Sequence, residues 1–128
     1  MDGSLERIGV EAFDGDRLKR PGIVAVAFLA DWCPFCRAFG PEFARLGRPG
    51  RSTLLVADVT SEESPLWERF RIEAVPTVFV FRDGRPIFRV DGVPGQGLVR
   101  DDLAAIEGAT RAASRSSPRH DRARGRSR

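Results

Sequence analysis

Residues 23–30, Ile-Val-Ala-Val-Ala-Phe-Leu-Ala, form the longest apolar run in the chain, and Arg-Pro-Gly precedes it. Eight apolar residues without polar alternation predict a strand that is covered on both faces. The run is far shorter than the roughly 20 residues that a helix needs to cross a bilayer. We therefore expect an α/β sheet built around this strand, and no association with a membrane.

The rest of the chain alternates between helix-like and strand-like patterns. Phe35 and Phe43 lie at helical spacing, and Pro34 suits the first position of that helix. Asp83-Gly84, between two apolar runs, predicts a hairpin. The predicted elements are a short strand and helix within 5–19, a helix at 34–46, a strand at 52–59, a helix at 64–70, two strands within 77–92 and a helix at 97–108. This order predicts one α/β domain whose central mixed β-sheet has helices on both faces and begins with three parallel strands.

Length and composition agree with a single small domain. The chain has 128 residues, of which 41% are hydrophobic and 30% charged, and this balance is ordinary for a globular protein. The first residues, Met-Asp-Gly-Ser-Leu-Glu-Arg, lack the basic segment and apolar core of a signal peptide. We therefore expect a cytoplasmic protein, in which paired cysteines suit catalysis or metal binding better than a structural disulfide.

Positive charge is concentrated at the C-terminus. Residues 108–128 hold seven arginines and one aspartate, a charge of +6, which leaves residues 1–107 at −3. A segment with so few bulky apolar side chains is predicted to be disordered, so we assign 1–107 to the folded domain and 108–128 to an arginine-rich tail. The tail could contact nucleic acid or an acidic partner. We favour a solubilising or functionless extension, because arginine replaces lysine almost throughout the chain.

Both cysteines lie in the segment Trp-Cys-Pro-Phe-Cys, with Cys33 and Cys36 at the predicted start of a helix. A helix N-terminus offers unpaired amide groups and positive potential to the first sulfur, which favours the thiolate that attacks disulfides. The second cysteine, one turn later, could then resolve the mixed disulfide. Half of a zinc site uses the same spacing, but zinc needs four ligands. The other soft ligand is His120, so a zinc site would have to be shared by two chains.

Two segments of the chain resemble the thioredoxin family. Residues 26–46 resemble its central strand, active-site turn and following helix, including the tryptophan before the first cysteine. Residues 70–92 resemble the later segment, in which Val-Pro-Thr carries a cis-proline beside the dithiol. The resemblance covers about 5–107. It implies the thioredoxin fold and reduction of protein disulfides, with no cofactor and no metal.

The resemblance also implies a role for individual residues. Cys33 would attack the substrate disulfide, and Cys36 would resolve the intermediate. Pro76 would be cis and would place the backbone of Val75 where an extended substrate chain can pair with it. The positions implied for the active site or for substrate binding, besides the two cysteines, are Trp32, Pro34, Phe35, Val75, Pro76 and Gly92. The chain is expected to be a monomer. Its implied partners are disulfide-containing proteins and, as electron donor, a thioredoxin reductase.

The chain departs from the thioredoxin pattern between the cysteines. Most thioredoxins have Gly-Pro there, whereas this chain has Pro34-Phe35, a pattern typical of glutaredoxins. Glutaredoxins usually lack the preceding tryptophan and carry a Gly-Gly pair that is absent from this sequence. The surroundings thus favour thioredoxin-like partners, and a glutaredoxin-like or oxidising exchange enzyme is the alternative.

A second departure lies in the predicted core. Thioredoxins usually bury an aspartate six residues before the first cysteine, and often pair it with a lysine. Here Ala27 takes the first position, and Val56 falls near the second. Replacing both members of a buried ion pair by apolar residues is tolerated far better than replacing one. We therefore expect Cys36 to lack a carboxylate base, which gives slower turnover or a steeper pH dependence.

A non-enzymatic protein is the alternative from a different functional class. The fold could serve as a binding module, with the basic tail directing it to a partner. A pure scaffold would have no need of a dithiol or of a cis-proline. We therefore favour the enzyme.

Overall fold

A computed structural model describes residues 5–115. Its strands are β1 (Glu6–Ile8), β2 (Phe13–Asp14), β3 (Arg17–Leu18), β4 (Ile23–Leu29), β5 (Thr53–Asp58), β6 (Thr77–Arg82) and β7 (Arg85–Asp91). Its α-helices are α1 (Pro34–Ala44), α2 (Leu66–Arg69) and α3 (Arg100–Arg115), and single 3₁₀ turns cover Val10–Ala12 and Pro49–Arg51.

The main sheet has five strands in the order β1-β5-β4-β6-β7, and β2 and β3 form a separate small hairpin. Strands β1, β5 and β4 are parallel, whereas β6 runs antiparallel to β4 and β7 antiparallel to β6. This mixed sheet with flanking helices confirms the predicted α/β fold class and the three parallel strands.

Strand β4 lies at the centre of the sheet and explains why residues 23–30 are uniformly apolar. Alternation along the strand sends Val26 and Phe28 to one face, where the ring of Phe28 contacts those of Phe13 and Phe70, at centroid distances of 6.0 and 5.2 Å. The opposite face carries the small side chain of Ala27, and helices α1 and α3 pack close to this strand. Both faces are therefore covered, as predicted.

The predicted hairpin between β6 and β7 is confirmed. Asp83 and Gly84 have φ values of 51° and 90°, the left-handed conformations that a tight two-residue turn requires. The short helix α2 is also confirmed in place, and the hydroxyl of Ser64 accepts a hydrogen bond from the amide of Leu66 at 3.3 Å.

The prediction of a helix at 97–108 is wrong at both ends, because α3 spans Arg100–Arg115. Gly108 lies inside this helix instead of ending it. The helix continues because Thr110 and Ala113 are buried, and because Glu107 and Arg111 form an i,i+4 ion pair at 3.0 Å. Residues 108–115 of the predicted disordered tail are therefore helical, and 116–128 lie outside the described residues.

The prediction for residues 5–19 is only partly right. The strand is present as β1, but the predicted helix is a single 3₁₀ turn followed by the small hairpin of β2 and β3. The pattern of apolar residues there reflects Phe13 and Leu18, which are buried across the hairpin from each other.

Candidate active site

Cys33 occupies the N-cap of α1, immediately after the loop that follows β4. Its carbonyl oxygen accepts hydrogen bonds from the amides of Cys36 and Arg37, at 3.1 and 3.2 Å, which close the first turn. Pro34 is at the first helical position, where its missing N–H costs nothing and its fixed φ favours the helix. The sequence prediction for the start of this helix is confirmed, and the first sulfur lies at the positive end of α1.

Cys36 is fully buried one turn into α1. Its Sγ accepts a hydrogen bond from the amide of Ala30 at 3.4 Å. The pKa of the Cys36 thiol is raised to about 12, chiefly by burial; the hydrogen bond from the Ala30 amide lowers it, and the neighbouring Cys33 adds to the increase. Among the groups that set this pKa there is no carboxylate of the described chain.

The two apolar replacements noted in the sequence face each other in the core. Ala27 of β4 is the direct cross-strand neighbour of Val56 in β5, and both are fully buried. A buried aspartate and a lysine at these positions would be adjacent, so replacing both leaves no unpaired charge. The local consequence is a dithiol whose inner thiol is influenced, within residues 5–115, by burial, by the Ala30 amide and by Cys33.

The pKa of Cys36 leads to a testable pH dependence. In a Cys33→Ser variant, alkylation of Cys36 by iodoacetamide is expected to be slow at neutral pH and to rise about tenfold per pH unit towards pH 10. The cause is that the raised pKa keeps the thiol protonated throughout this range. Alkylation of the same variant in urea is the control, because an exposed thiol with the ordinary pKa of 9.0 reaches its plateau earlier. If the alkylation rate of Cys36 in the folded protein stopped rising at or below pH 9, burial would not be raising the pKa of its thiol.

The second sequence motif lies directly beside the first. The peptide bond between Val75 and Pro76 is cis, as predicted, and the carbonyl oxygen of Val75 accepts a hydrogen bond from Cys33 Sγ at 3.5 Å. The hydroxyl of Thr77 donates to the carbonyl of Ala74 at 2.7 Å and fixes the turn around the proline. The fold therefore brings together two segments separated by about 40 residues.

Gly92 lies behind Pro76, at the end of β7. A Cβ at this position would overlap the carbonyl oxygen of Pro76, so the backbone can pass only if residue 92 is glycine. The resemblance placed Gly92 among the active-site or substrate-binding positions. The structure shows a nearer reason for the glycine, which is the approach of two segments of its own backbone.

Gly92→Ala is expected to lower the free energy of unfolding by about 1–3 kcal/mol, because the added methyl group must displace the backbone of Pro76. Since Pro76 adjoins Cys33, disulfide exchange should also slow. Urea denaturation and a disulfide-reduction assay measure the two effects. Gly108→Ala is the matched control, because Gly108 lies in α3 with an ordinary helical backbone and open space around its Cβ position. Equal effects of the two substitutions would contradict this role of Gly92.

Arg89 supports the segment that carries Val75 and Pro76, a role that the sequence did not reveal. Its guanidinium donates to the carbonyls of Phe70 and Arg71, at 2.7 and 2.9 Å, and lies over the ring of Phe79. Its Nε donates to Asp91 at 2.7 Å. A side chain that holds backbone carbonyls has no local sequence pattern, so Arg89 could be found only from the structure.

Two stacked tryptophans form one wall of the site. Trp32 is 49% exposed, and its ring lies parallel to that of Trp67 at a centroid distance of 6.2 Å. Each indole N–H is held by a backbone carbonyl, Trp32 by Thr60 at 2.8 Å and Trp67 by Ser61 at 3.1 Å. The resemblance placed Trp32 among the active-site or substrate-binding positions. Nothing in the sequence pointed to Trp67, except that it is the second of two tryptophans.

An open groove of about 300 Å³ runs beside Cys33. It is mainly apolar, and its lining residues are Trp32, Cys33, Pro34, Phe35, Trp67, Glu73, Ala74 and Val75. Phe35 is held on the other side by Gly97, whose backbone passes so close that a Cβ there would lie 2.9 Å from the Phe35 Cβ. Every residue predicted for the site therefore lies in this groove or directly behind it.

A polar network adjoins the loop before Cys33. Arg7 bridges Asp31 and Asp58, with N–O distances of 3.4 and 3.0 Å. Burial tends to raise the pKa of Asp58, but hydrogen bonds from the Thr60 side chain and amide and from Arg7 outweigh it and leave the pKa lowered. Asp58 therefore stays ionised and is a poor proton acceptor for a thiol.

Within residues 5–115, no group of three His, Cys, Asp or Glu side chains is placed to hold a metal ion. His120, which a shared zinc site would need, lies outside this range. In the same part of the chain, no helix has the length and apolar character to cross a membrane.

A comparison with known families matches residues 5–105 to the thioredoxin family model. This chain belongs to the thioredoxin family. The match covers the sheet and both motifs of the site. Membership supports a role in thiol–disulfide oxidoreduction, for which the Cys33–Cys36 spacing is suited.

Individual thioredoxins show how far the similarity extends. The H-type thioredoxin of Picea mariana is 32% identical over 100 residues, which are 78% of this chain and 76% of that protein. The bifunctional thioredoxin reductase/thioredoxin of Mycobacterium leprae is 29% identical over 96 residues, but these span only 21% of its length. The structure of spinach chloroplast thioredoxin f matches with a TM-score of 0.66 at 21% identity, covering 85% of this chain and 88% of that chain.

Proposed function

We propose that this chain reduces disulfide bonds in other proteins, with Cys33 as the attacking thiol and Cys36 as the resolving thiol. The observation that carries the proposal is the position of Cys33. Its sulfur lies at the N-terminus of α1, contacts the carbonyl of Val75 and borders an open apolar groove. Cys36, in contrast, is fully buried and so suits attack on an intermediate already held in place.

The exchange takes place in two steps. The Cys33 thiolate attacks one sulfur of the substrate disulfide, forms a mixed disulfide and releases the other substrate sulfur as a thiolate. Cys36 then loses its proton, and its thiolate attacks the Cys33 sulfur. This forms the Cys33–Cys36 disulfide and releases the second substrate thiolate. In total, two electrons pass to the substrate, and its two released thiolates each take up a proton.

The groove supplies the means of holding the substrate. An extended chain next to the substrate cysteine would pair with the backbone at Val75, as an added strand does. Its neighbouring side chains would lie against Trp32 and Phe35, which are 49% and 38% exposed. Pro76 and Gly92 keep the backbone behind Val75 in place. We therefore expect a preference for apolar or aromatic residues beside the substrate disulfide.

Reduced Cys33 and Cys36 must be regenerated after each cycle. We propose a thioredoxin reductase as the electron donor, because the M. leprae relative carries both names on one polypeptide. The chain would act as a monomer, without a cofactor, in the cytoplasm, where dithiols are kept reduced.

The reduction potential of the Cys33–Cys36 pair, measured by equilibration with glutathione redox buffers, tests the proposal. A value near about −270 mV would agree with a reductase despite the Pro34-Phe35 pair. A value above roughly −200 mV would contradict reduction as the physiological direction and favour a glutathione-linked or oxidising enzyme. If no disulfide forms in any buffer, the redox function itself is wrong, and the binding module is favoured.

A further inference from the structure

A second cavity of the described chain is far from the dithiol. It measures about 500 Å³ and lies where β4 begins, where β6 ends, and where α3 makes its last turns against the 3₁₀ turn at 49–51. Strand β4 runs from Ile23 at this cavity to Leu29 beside the active-site loop. At about 3.3 Å per residue, the strand separates the cavity from the dithiol by about 20 Å.

Four arginines surround this cavity, which we call the basic pocket: Arg51, Arg82, Arg111 and Arg115. The one carboxylate in its lining is that of Asp83, which accepts a hydrogen bond from the amide of Gly22 at 2.7 Å. Glu107 adds a second carboxylate one turn away, paired with Arg111 at 3.0 Å. The C-terminal dipole of α3 contributes about half a negative charge, so the pocket keeps a positive balance.

The chemistry of the lining favours phosphate. The planar guanidinium group donates two parallel hydrogen bonds to a phosphate, and guanidinium groups from three different segments of the fold line this cavity, although that of Arg111 is also bound to Glu107. The apolar lining consists of Ile23 and Ala113, and no aromatic ring of the described chain faces the cavity. Nucleobases are usually bound by stacking on aromatic side chains, and this lining has none. The pocket therefore suits a phosphate backbone and not a nucleobase.

The sequence after α3 favours a polymer over a small anion. Residues 116–128 follow Arg115 directly and hold five arginines and one aspartate. A nucleic acid strand presents one phosphate per nucleotide, so one strand can pair with several arginines of the pocket at once, and the positive charge of the sequence after Arg115 would add to the attraction.

We propose that the basic pocket binds the phosphate backbone of a nucleic acid strand without reading its sequence. The dithiol, about 20 Å away at the other end of β4, stays open to protein substrates. This site is independent of the proposed reductase function, because it shares no residue with the groove beside Cys33.

Fluorescence anisotropy with a labelled single-stranded DNA of about 20 nucleotides tests the proposal on the full chain. The dissociation constant in about 50 mM NaCl is expected between about 1 and 100 μM, and insensitive to base sequence. The Arg51→Gln/Arg115→Gln variant should bind at least about tenfold more weakly and lower the slope of log K against log salt by about 1.4. The rate of disulfide reduction by this variant should be unchanged.

A matched variant, Arg45→Gln/Arg69→Gln, removes the same charge from exposed positions outside the pocket. It should change the affinity less than about threefold. Equal weakening by both variants would overturn the proposal, because net charge alone would then explain binding. It would also be overturned if polyglutamate or a mononucleotide displaced the DNA as well as unlabelled DNA does. A chain shortened after Arg115 that loses all binding would assign the site to the tail instead.

Discussion

Cys33→Ser is expected to slow the reduction of a protein disulfide such as that of insulin at least about a thousandfold, the scale of losing an enzymatic nucleophile. A serine hydroxyl is not ionised near neutral pH and does not attack disulfides. The change removes little volume from a residue that is 5% exposed, so the fold should survive. The rate of insulin reduction gives the effect, and circular dichroism confirms that the variant is folded.

Cys36→Ser is the matched control for this result. It keeps the attacking thiol but cannot resolve the intermediate, so a mixed disulfide between Cys33 and the substrate should accumulate and be visible by mass spectrometry. A Cys33→Ser protein that kept more than about a tenth of the activity would contradict the assignment of the nucleophile. A trapped disulfide on Cys36 instead of Cys33 would reverse the two roles.

Ala27→Asp is expected to lower the free energy of unfolding at neutral pH by about 3–5 kcal/mol, as an unpaired buried charge does. Ala27 is fully excluded from water and lies between Val56 and Val78, its partners on the two neighbouring strands. Burial would raise the pKa of the new carboxyl group above its unfolded value. The destabilisation should therefore grow as the pH rises above about 4 and shrink below it. Urea denaturation at several pH values measures this dependence.

Two further variants isolate the charge. Asparagine has nearly the same volume as aspartate but no ionisable group, so the stability of the Ala27→Asn variant should not depend on pH in this way. Ala27→Asp/Val56→Lys should recover part of the lost stability, because the two positions are adjacent across β4 and β5. Equal stability of the Asp and Asn variants at neutral pH would show that position 27 reaches water.

Much of the fold could be predicted because its signals are local. Residues 23–30 carry the signature of a central strand, and Asp83-Gly84 that of a tight turn. Pro34 marked the start of α1, and the resemblance around Val75-Pro76 indicated the cis peptide bond. In each case the information lies within a few residues, where backbone preferences or a specific motif decide the structure.

The remaining features depend on contacts between distant segments. Helix α3 passes Gly108 because Ala113 is buried and Ser114 donates to the carbonyl of Gly50, and neither contact is visible in an arginine-rich sequence. The clamp by Arg89 and the stacking of Trp67 on Trp32 likewise join segments that are far apart in the chain. Patterns within one segment predict its secondary structure, but such partners follow only from the assembled sheet.

The paired indoles have an optical consequence. The chain has two tryptophans and no tyrosine, and both tryptophans belong to the stacked pair beside Cys33. Emission excited near 295 nm therefore comes entirely from one wall of the redox centre. An ordinary fluorimeter, without any attached dye, thus follows the oxidation state of the dithiol and the arrival of a substrate as local signals rather than as averages over the whole molecule.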